Sequence, residues 1–484
     1  MVLFSLAASH AVAKEKKVTV VGAGLAGLTA AYRIEKLTGL PVDIYEARNR
    51  PGGRVYTVRL RSSTGNSYEE LGGKFLHDGG DATHILALIA EIGLETESYV
   101  MDLIGRKFVY KGKVDGYYTP LLEGPKPTPE NYALASMWAK EAKNLGEVLD
   151  RLFEGHEVLR HLAELRMRNY EGNDSQDLSV DYFDSFWSFF AKGYEIAEMK
   201  ISPAYNVEHV KGGNSLLIEK IANAIEGKVQ YNSALRKISK TEKGKIRLQF
   251  EEGTEVLTDY LILAIPCSTL RDIEIEEGIL PDDQRRAIAT LQYGSNSKIL
   301  VPIALNEESI TELSPTENMV IWFNKGRSVM TFYYGGKTGL FDSTCMSDVS
   351  KKIAQEIPAC KMLYPSIGFP FGVEPARLDD SLSHYAKPVG ICWMNEEFSK
   401  GSYSSWGIDQ FATFNATEMH LGETVRTVFR PINNTIFFAG EHAALDYPAT
   451  MEGAVESGER AARMVSAILN QHELLASPYC QGCQ

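Results

Sequence analysis

Apolar positions along the chain alternate between short runs closed by glycine and longer stretches of helical period. Val18 to Val21 is a β-branched run that ends at Gly22, and Leu28 to Leu37 then reads as a helix. Val42 to Tyr45 is a second short strand. Further apolar strands are expected in "TDYLILAIPCSTL" (258 to 270), in "TIFFAG" (435 to 440) and in "LQYGSNSKILVPIAL" (291 to 305), while "DYFDSFWSFFAKGYEIAEM" (181 to 199) is aromatic and helix-prone. The aromatics of that last stretch read as core rather than as a binding box, although one sequence does not assign them individually. Strand, helix and strand in succession give an α/β fold class.

One position interrupts this pattern. Lys298 stands at the first step of an apolar strand, where burial would penalise or neutralise its charge. An exposed strand end with the amine in water is the simplest reading, and a functional amine is the other.

At 484 residues the chain exceeds what one hydrophobic core supports, so two or more domains are expected. A net charge of -13 argues against nucleic acid, and no basic run interleaved with aromatics occurs. Six scattered cysteines do not form a disulfide framework, and the closing "CQGC" with Cys480 and Cys483 lacks the second pair that zinc needs. The histidines, His77, His84, His156, His161 and His442 among them, fit no HExxH or paired-ligand spacing, so no metal is expected. Residues 1–13 hold an apolar run ending in Ala11-Val12-Ala13, which looks like a signal segment without its basic start; the compartment, cytoplasmic or exported, depends on it. No other stretch reaches the ~18 apolar residues of a membrane span.

The most informative segment follows the first strand. Gly22, Gly24 and Gly27 form GxGxxG, which supplies a tight turn, a close approach of backbone to a pyrophosphate, and close helix packing, with Ala26 inside the loop. The helix dipole then faces the phosphate. Glu46 lies 19 residues past Gly27 at the end of the second strand, placed to accept from ribose hydroxyls and to repel a 2′-phosphate. Ala47, Arg48, Gly53 and Arg54 belong to a basic, glycine-containing loop whose arginines can reach a pyrophosphate.

From this loop onward the chain resembles the flavin-containing amine oxidase family, and the resemblance runs from about residue 16 to 468. "EELGGKFLHDGG" (69 to 80) is similar to the family's acid-x-Gly-Gly loop and contains Gly72, Gly73, Lys74 and Phe75. "VKGGNSLLIEKIA" (210 to 222) resembles the return to the cofactor domain, and "VQYNSALRKI" (229 to 238) resembles the strand near the adenine, with Ala234 and Leu235. The block 435 to 465 contains Gly440 and Glu441, then Met451, Glu452 and Ala454 at the start of a helix. The resemblance implies that Glu441 contacts the ribityl and pyrophosphate region, and that the helix start faces the flavin pyrimidine.

The same resemblance gives Lys298 a role, because "YGSNSKI" is similar to the turn and lysine that hold a water at flavin N5. Trp393 matches the tryptophan along the isoalloxazine. Ser402 stands where the mitochondrial monoamine oxidases have their covalent cysteine, so noncovalent FAD is implied. Tyr403 is then one wall of the amine site, and Thr450 takes the place of the second tyrosine. The arginine that clamps the carboxylate in L-amino acid oxidases is missing after Gly72-Gly73, where Lys74-Phe75 stands. An amine without an α-carboxylate is therefore expected.

The resemblance thus implies an FAD-dependent amine oxidase: the α-hydrogen passes to N5, the imine hydrolyses to an aldehyde, and oxygen reoxidises the flavin to give hydrogen peroxide. An L-amino acid oxidase is the alternative, and a catalytically silent flavoprotein a further one. The expected architecture is a Rossmann-like FAD-binding domain, discontinuous over 16–90, 205–290 and 390–468, with a mixed-sheet and helical substrate domain over 91–204 and 291–389. Residues 1–15 form a leader and 469–484 a tail. The expected partners are a small-molecule amine and oxygen, with a homodimer as an option.

Overall fold

The computed structural model describes residues 16–62, 65–76, 82–101, 106–200, 205–303, 314–324, 326–369 and 387–476. The leader, His77, Cys480 and Cys483 lie outside these residues.

A five-stranded parallel sheet contains the first strand, in the order Ile436–Phe438, Tyr260–Leu263, Val18–Val21, Asp43–Tyr45, Val229–Gln230. All four residues of Val18–Val21 are buried, as expected of a strand covered on both faces. Three of the four neighbouring pairs join segments more than 170 residues apart in sequence, so long stretches of chain leave and re-enter this sheet. The first helix, Leu25–Thr38, begins three residues earlier than the apolar period indicates, at the glycine loop itself. Gly27 explains the tight entry: a Cβ there would lie 2.0 Å from the Gly22 carbonyl oxygen. The closing helix, Met451–Ala476, packs along the first one; Arg33 bridges to Glu459 at 2.7 Å, and Gly458 lets the backbones approach.

A second five-stranded sheet is antiparallel, in the order Ser314–Pro315, Val320–Phe323, Val329–Tyr334, Ser297–Pro302, Val389–Cys392. Lys298 lies on an inner strand of it, paired with Tyr333 on one side and Ile391 on the other. The exposed-end reading of Lys298 is therefore wrong: the side chain is only 5% exposed. Helices Pro129–Glu141, Leu145–Leu152, Glu157–Tyr170 and Phe183–Met199 form a separate apolar cluster. Phe183, Phe186, Trp187 and Phe190 are buried in it as expected, but Phe186, Phe189 and Phe190 also reach the cavity described below. No helix among the described residues is long and apolar enough to cross a membrane.

Candidate active site

One cavity of about 1200 Å³ runs from the glycine loop to the second sheet and the helical cluster. Every candidate residue named from the sequence lies on its wall except Gly27, which sits just behind the wall against Gly22.

At one end the first helix opens without a side-chain cap, leaving its terminal N–H groups to a ligand. A Cβ at Gly24 would meet nothing within 4 Å, so the backbone there borders open space, whereas Gly22, with φ +103°, has no room for a Cβ. Glu46 is buried at the end of its strand and is held by the N–H groups of Ala23 (2.8 Å) and Arg48 (2.9 Å). Ala234 and Leu235 line the same end. The arginines of the loop have settled partners. Arg48 pairs with Glu396, Arg50 donates to the carbonyls of Pro51 and Gly53, and Arg54 donates to the Ser402 carbonyl (2.9 Å) and to Glu441 (2.8 Å).

Glu441 is the hub of the middle section. Its carboxylate also accepts from the Ser404 hydroxyl (2.6 Å), the Ser404 N–H (3.1 Å) and the Ala449 N–H (3.0 Å). Burial pushes this carboxyl up, but Arg54 and these donors outweigh burial and hold it below the usual range. Gly440 reaches φ +144° to make the turn before it. Across the cavity the Met451 side chain packs over Gly73, where a Cβ would come within 3.1 Å of its sulfur. The Glu452 carboxylate turns outward and caps helix Thr83–Glu91 through the N–H groups of His84 (2.9 Å) and Ile85 (2.8 Å). What the closing helix presents to the cavity at this point is its N-terminus rather than that charge. Thr450 caps the helix, donating to the Tyr447 carbonyl (2.6 Å) and accepting from the Gly453 N–H (3.0 Å). Tyr447, at φ +51°, contributes an aromatic ring to the wall three residues before Thr450.

The far section contains the buried lysine. Lys298 Nζ donates to the carbonyls of Glu70 (3.1 Å) and Gly72 (2.6 Å) and lies 5.3 Å from the Trp322 ring centroid and 5.7 Å from that of Tyr333. Burial pulls its amine down to about 8, partly opposed by Glu69. Burial likewise raises the Glu70 carboxyl to about 7, although the Asn214 N–H and the Thr57 hydroxyl donate to it. Lys74 is buried and paired with Glu69 at 2.9 Å. A substrate carboxylate would have to displace that partner.

Trp393 is pinned by a bond from its indole N–H to the Leu71 carbonyl (3.3 Å). Tyr403 donates to the Asn169 carbonyl (2.9 Å), as does Tyr333, and the two hydroxyls lie 3.4 Å apart. Burial, and Tyr333 after it, hold the Tyr403 phenol well above 10, so it stays protonated. Ser402 bonds to Asn296 (2.6 Å), whose amide also donates to the Arg168 carbonyl (3.1 Å). Asn296 thereby ties the Ser402-Tyr403 loop to the strand that bears Lys298. Asn169, Asn296, Trp322 and Tyr333 were not named from the sequence. The strands bearing Trp322 and Tyr333 are readable as "VIWF" and "VMTFYY", but nothing local shows which of their residues face the cavity.

The uncapped helix, the open space at Gly24, the anchored Glu46 and the apolar wall at Trp393 together fit a flavin dinucleotide. Comparisons with known proteins agree. A family model described as flavin containing amine oxidoreductase matches residues 25–303 and 380–466. Flavin-containing amine oxidase B of Homo sapiens is 24% identical over 490 residues, covering 93% of this chain and 85% of that protein. A lysine-specific histone demethylase 1 homolog 2 of Oryza sativa subsp. japonica is 27% identical over 485 residues, which is 93% of this chain and 56% of the relative. Among solved structures, cyclohexylamine oxidase from Brevibacterium oxydans IH-35A superposes with a TM-score of 0.68 at 17% identity over 94% of this chain and 99% of that one. Wild-type putrescine oxidase bound to putrescine gives 0.67 at 18% identity, over 93% and 98%. The solved structures speak for the fold, and the family model spans most of the sequence: the chain belongs to the flavin-containing amine oxidoreductases, and its cofactor is FAD.

Proposed function

We propose that the protein oxidises the C–N bond of an amine, bound between Tyr403 and the isoalloxazine of noncovalently held FAD. The single observation that carries this reading is the continuity of the cavity from the glycine loop to the buried Lys298 and Tyr403. In this reading segments 16–90, 205–290 and 390–468 serve the cofactor, and 91–204 and 291–389 serve the substrate. FAD, when bound, supplies the two-electron acceptor and the means of passing those electrons to oxygen.

The chain's own residues do the rest. The N-terminus of Leu25–Thr38 and Glu46 hold the dinucleotide, the first by its dipole and free N–H groups, the second by its carboxylate. Arg54, neutralised by Glu441, stiffens the central section without leaving a free charge there. Tyr403 is fixed by Asn169 and presents a ring face that attracts the amine and excludes water. Its bound geometry reduces the entropy cost of bringing the α-carbon into place. Lys298 holds a water at the reacting end, and burial keeps its amine poised to move a proton near neutral pH. The Met451 helix N-terminus stabilises negative charge opposite it. Ser402 cannot form a thioether, so the cofactor is released intact on denaturation.

Reconstituted protein given a panel of primary and secondary amines in air should form aldehyde and hydrogen peroxide in equal amounts with at least one of them. Bound FAD with no peroxide from any amine would sink the proposal.

A further inference from the structure

We propose that Arg166 anchors a carboxylate on the substrate, so that the preferred substrates are amines that also carry a carboxylate; this rests on the amine-oxidising reading above. Helix Glu157–Tyr170 carries three arginines, and two of them are neutralised. Arg160 pairs with Asp150 (2.6 Å) and Glu164 (2.7 Å), and Arg168 pairs with Asp174 (2.6 Å). Arg166 has no carboxylate within ion-pair distance among the described residues, and its Nε and Nη1 are buried without an acceptor. It lines the cavity.

A guanidinium cannot shed its proton to escape burial. Arg166 is half-buried, and its two buried, unmet N–H donors are a standing cost that an anionic ligand in the cavity relieves. Two rings hold the group in place: it stacks on Tyr170, and its carbon lies 4.4 Å from the Phe189 ring centroid. A flat fork fixed in this way suits the planar carboxylate better than a mobile ammonium would.

Its position links it to the amine wall. Asn169, three residues on and on the same side of the helix, accepts the Tyr403 hydroxyl. Burial, then Tyr333 and Glu171, push the Tyr403 phenol up and Arg166 opposes them, so the field of the cation reaches this part of the site. The wall contributed by residues 106–193 carries Arg106, Arg166 and Lys192 against the single carboxylate Glu171. Lys192 is matched by Glu195 at 3.0 Å, but Arg106 Nε also lacks an acceptor. This balance favours an anionic group on the substrate over a second ammonium. The anchor is thus supplied by the substrate half of the chain and not by the loop at Lys74, so it replaces the expectation, drawn from that loop alone, of a substrate without an α-carboxylate.

The test uses FAD-loaded enzyme and two matched pairs, phenylalanine with 2-phenylethylamine and 4-aminobutyrate with butylamine, with putrescine as the dicationic control. The carboxylated member of at least one pair should have the higher kcat/KM. Arg166→Met should lower it at least ~30-fold, mainly through KM, and by far more than for the decarboxylated partner, with Arg166→Lys restoring part of the loss. Preference for the plain amine in both pairs, preference for putrescine, or equal losses within a pair would overturn the anchor. Benzoate supplies a readout without turnover: its perturbation of the bound FAD spectrum should need at least ~10-fold more benzoate in Arg166→Met, and an unchanged titration would also overturn it. A protein that binds benzoate through Arg166 yet oxidises no amine would retire the amine-oxidising reading and keep the anchor.

Discussion

Replacing Lys298 by Met separates the amine's chemistry from its structural cost. The amine sits in an apolar environment and is drawn from 10.5 down to about 8. Keeping it charged at neutral pH therefore costs roughly 3 kcal/mol, at 1.36 kcal/mol for each tenfold. That cost is present in full below about pH 8 and is relieved as the pH rises toward 10.5, because there the unfolded chain binds the proton and the folded one does not. Methionine removes the cost, but it also leaves the carbonyls of Glu70 and Gly72 without the donor they now have. Two bonds from a charged group are worth about 1.5–3 kcal/mol each, about 3–6 kcal/mol together, so the loss equals the relieved cost or exceeds it by up to ~3 kcal/mol, which is a small shift for a chain of this length. Lys298→Met should therefore fold, melt within a few degrees of the parent and retain FAD. Stopped-flow absorbance should nevertheless show flavin reduction by amine, or reoxidation by oxygen, slowed at least ~10-fold, about 1.4 kcal/mol of barrier. Unchanged rates in both half-reactions with FAD bound would refute the role given to Lys298.

Other consequences follow from the same geometry. Gly24→Val should leave the melting of the apoprotein almost unchanged, because its side chain enters open space, yet weaken FAD binding; Gly27→Ala should destabilise the fold itself, since its Cβ would lie 2.0 Å from a carbonyl oxygen. Fluorescence titration with FAD and thermal melts distinguish the two. Glu46→Leu should raise the FAD dissociation constant at least ~10-fold, because it removes the acceptor for the Ala23 and Arg48 N–H groups as well as the ribose contact proposed for this carboxylate. Acid precipitation should leave all the yellow colour in the supernatant, and colour retained in the pellet would contradict noncovalent attachment. Burial holds His442 down at about 4 against 6.5 in the open chain, so it weakens the fold as the pH falls between these values, by roughly 3 kcal/mol at the lower end. Melting curves of His442→Leu over that range should fall less steeply than those of the parent.

The parts of this site that were legible in the sequence are those whose requirements are local. Gly27 answers a demand made by Gly22 five residues before it, the positive φ of Gly22 is a local backbone requirement, and Glu46 closes a strand that adjoins the glycine loop. The burial of Lys298 was not legible, because its two acceptors lie 228 and 226 residues away. The same holds for Asn169 and Tyr333, which meet Tyr403 from 234 and 70 residues away. The aromatic helix Phe183–Met199 was legible as core but not as cavity wall: one helix serves both, and hydrophobic period alone does not divide them. At Thr450 the sequence showed only a missing tyrosine. In the fold this threonine is a helix cap, and Tyr447 supplies an aromatic ring nearby.

The visible absorption spectrum of the FAD-loaded protein, recorded without oxygen before and after adding amines one at a time, tests the central claim most directly. The account predicts that the flavin bands bleach with at least one amine and return when air is admitted. Oxidised flavin that no amine bleaches, or a protein that stays colourless after incubation with FAD, would contradict it.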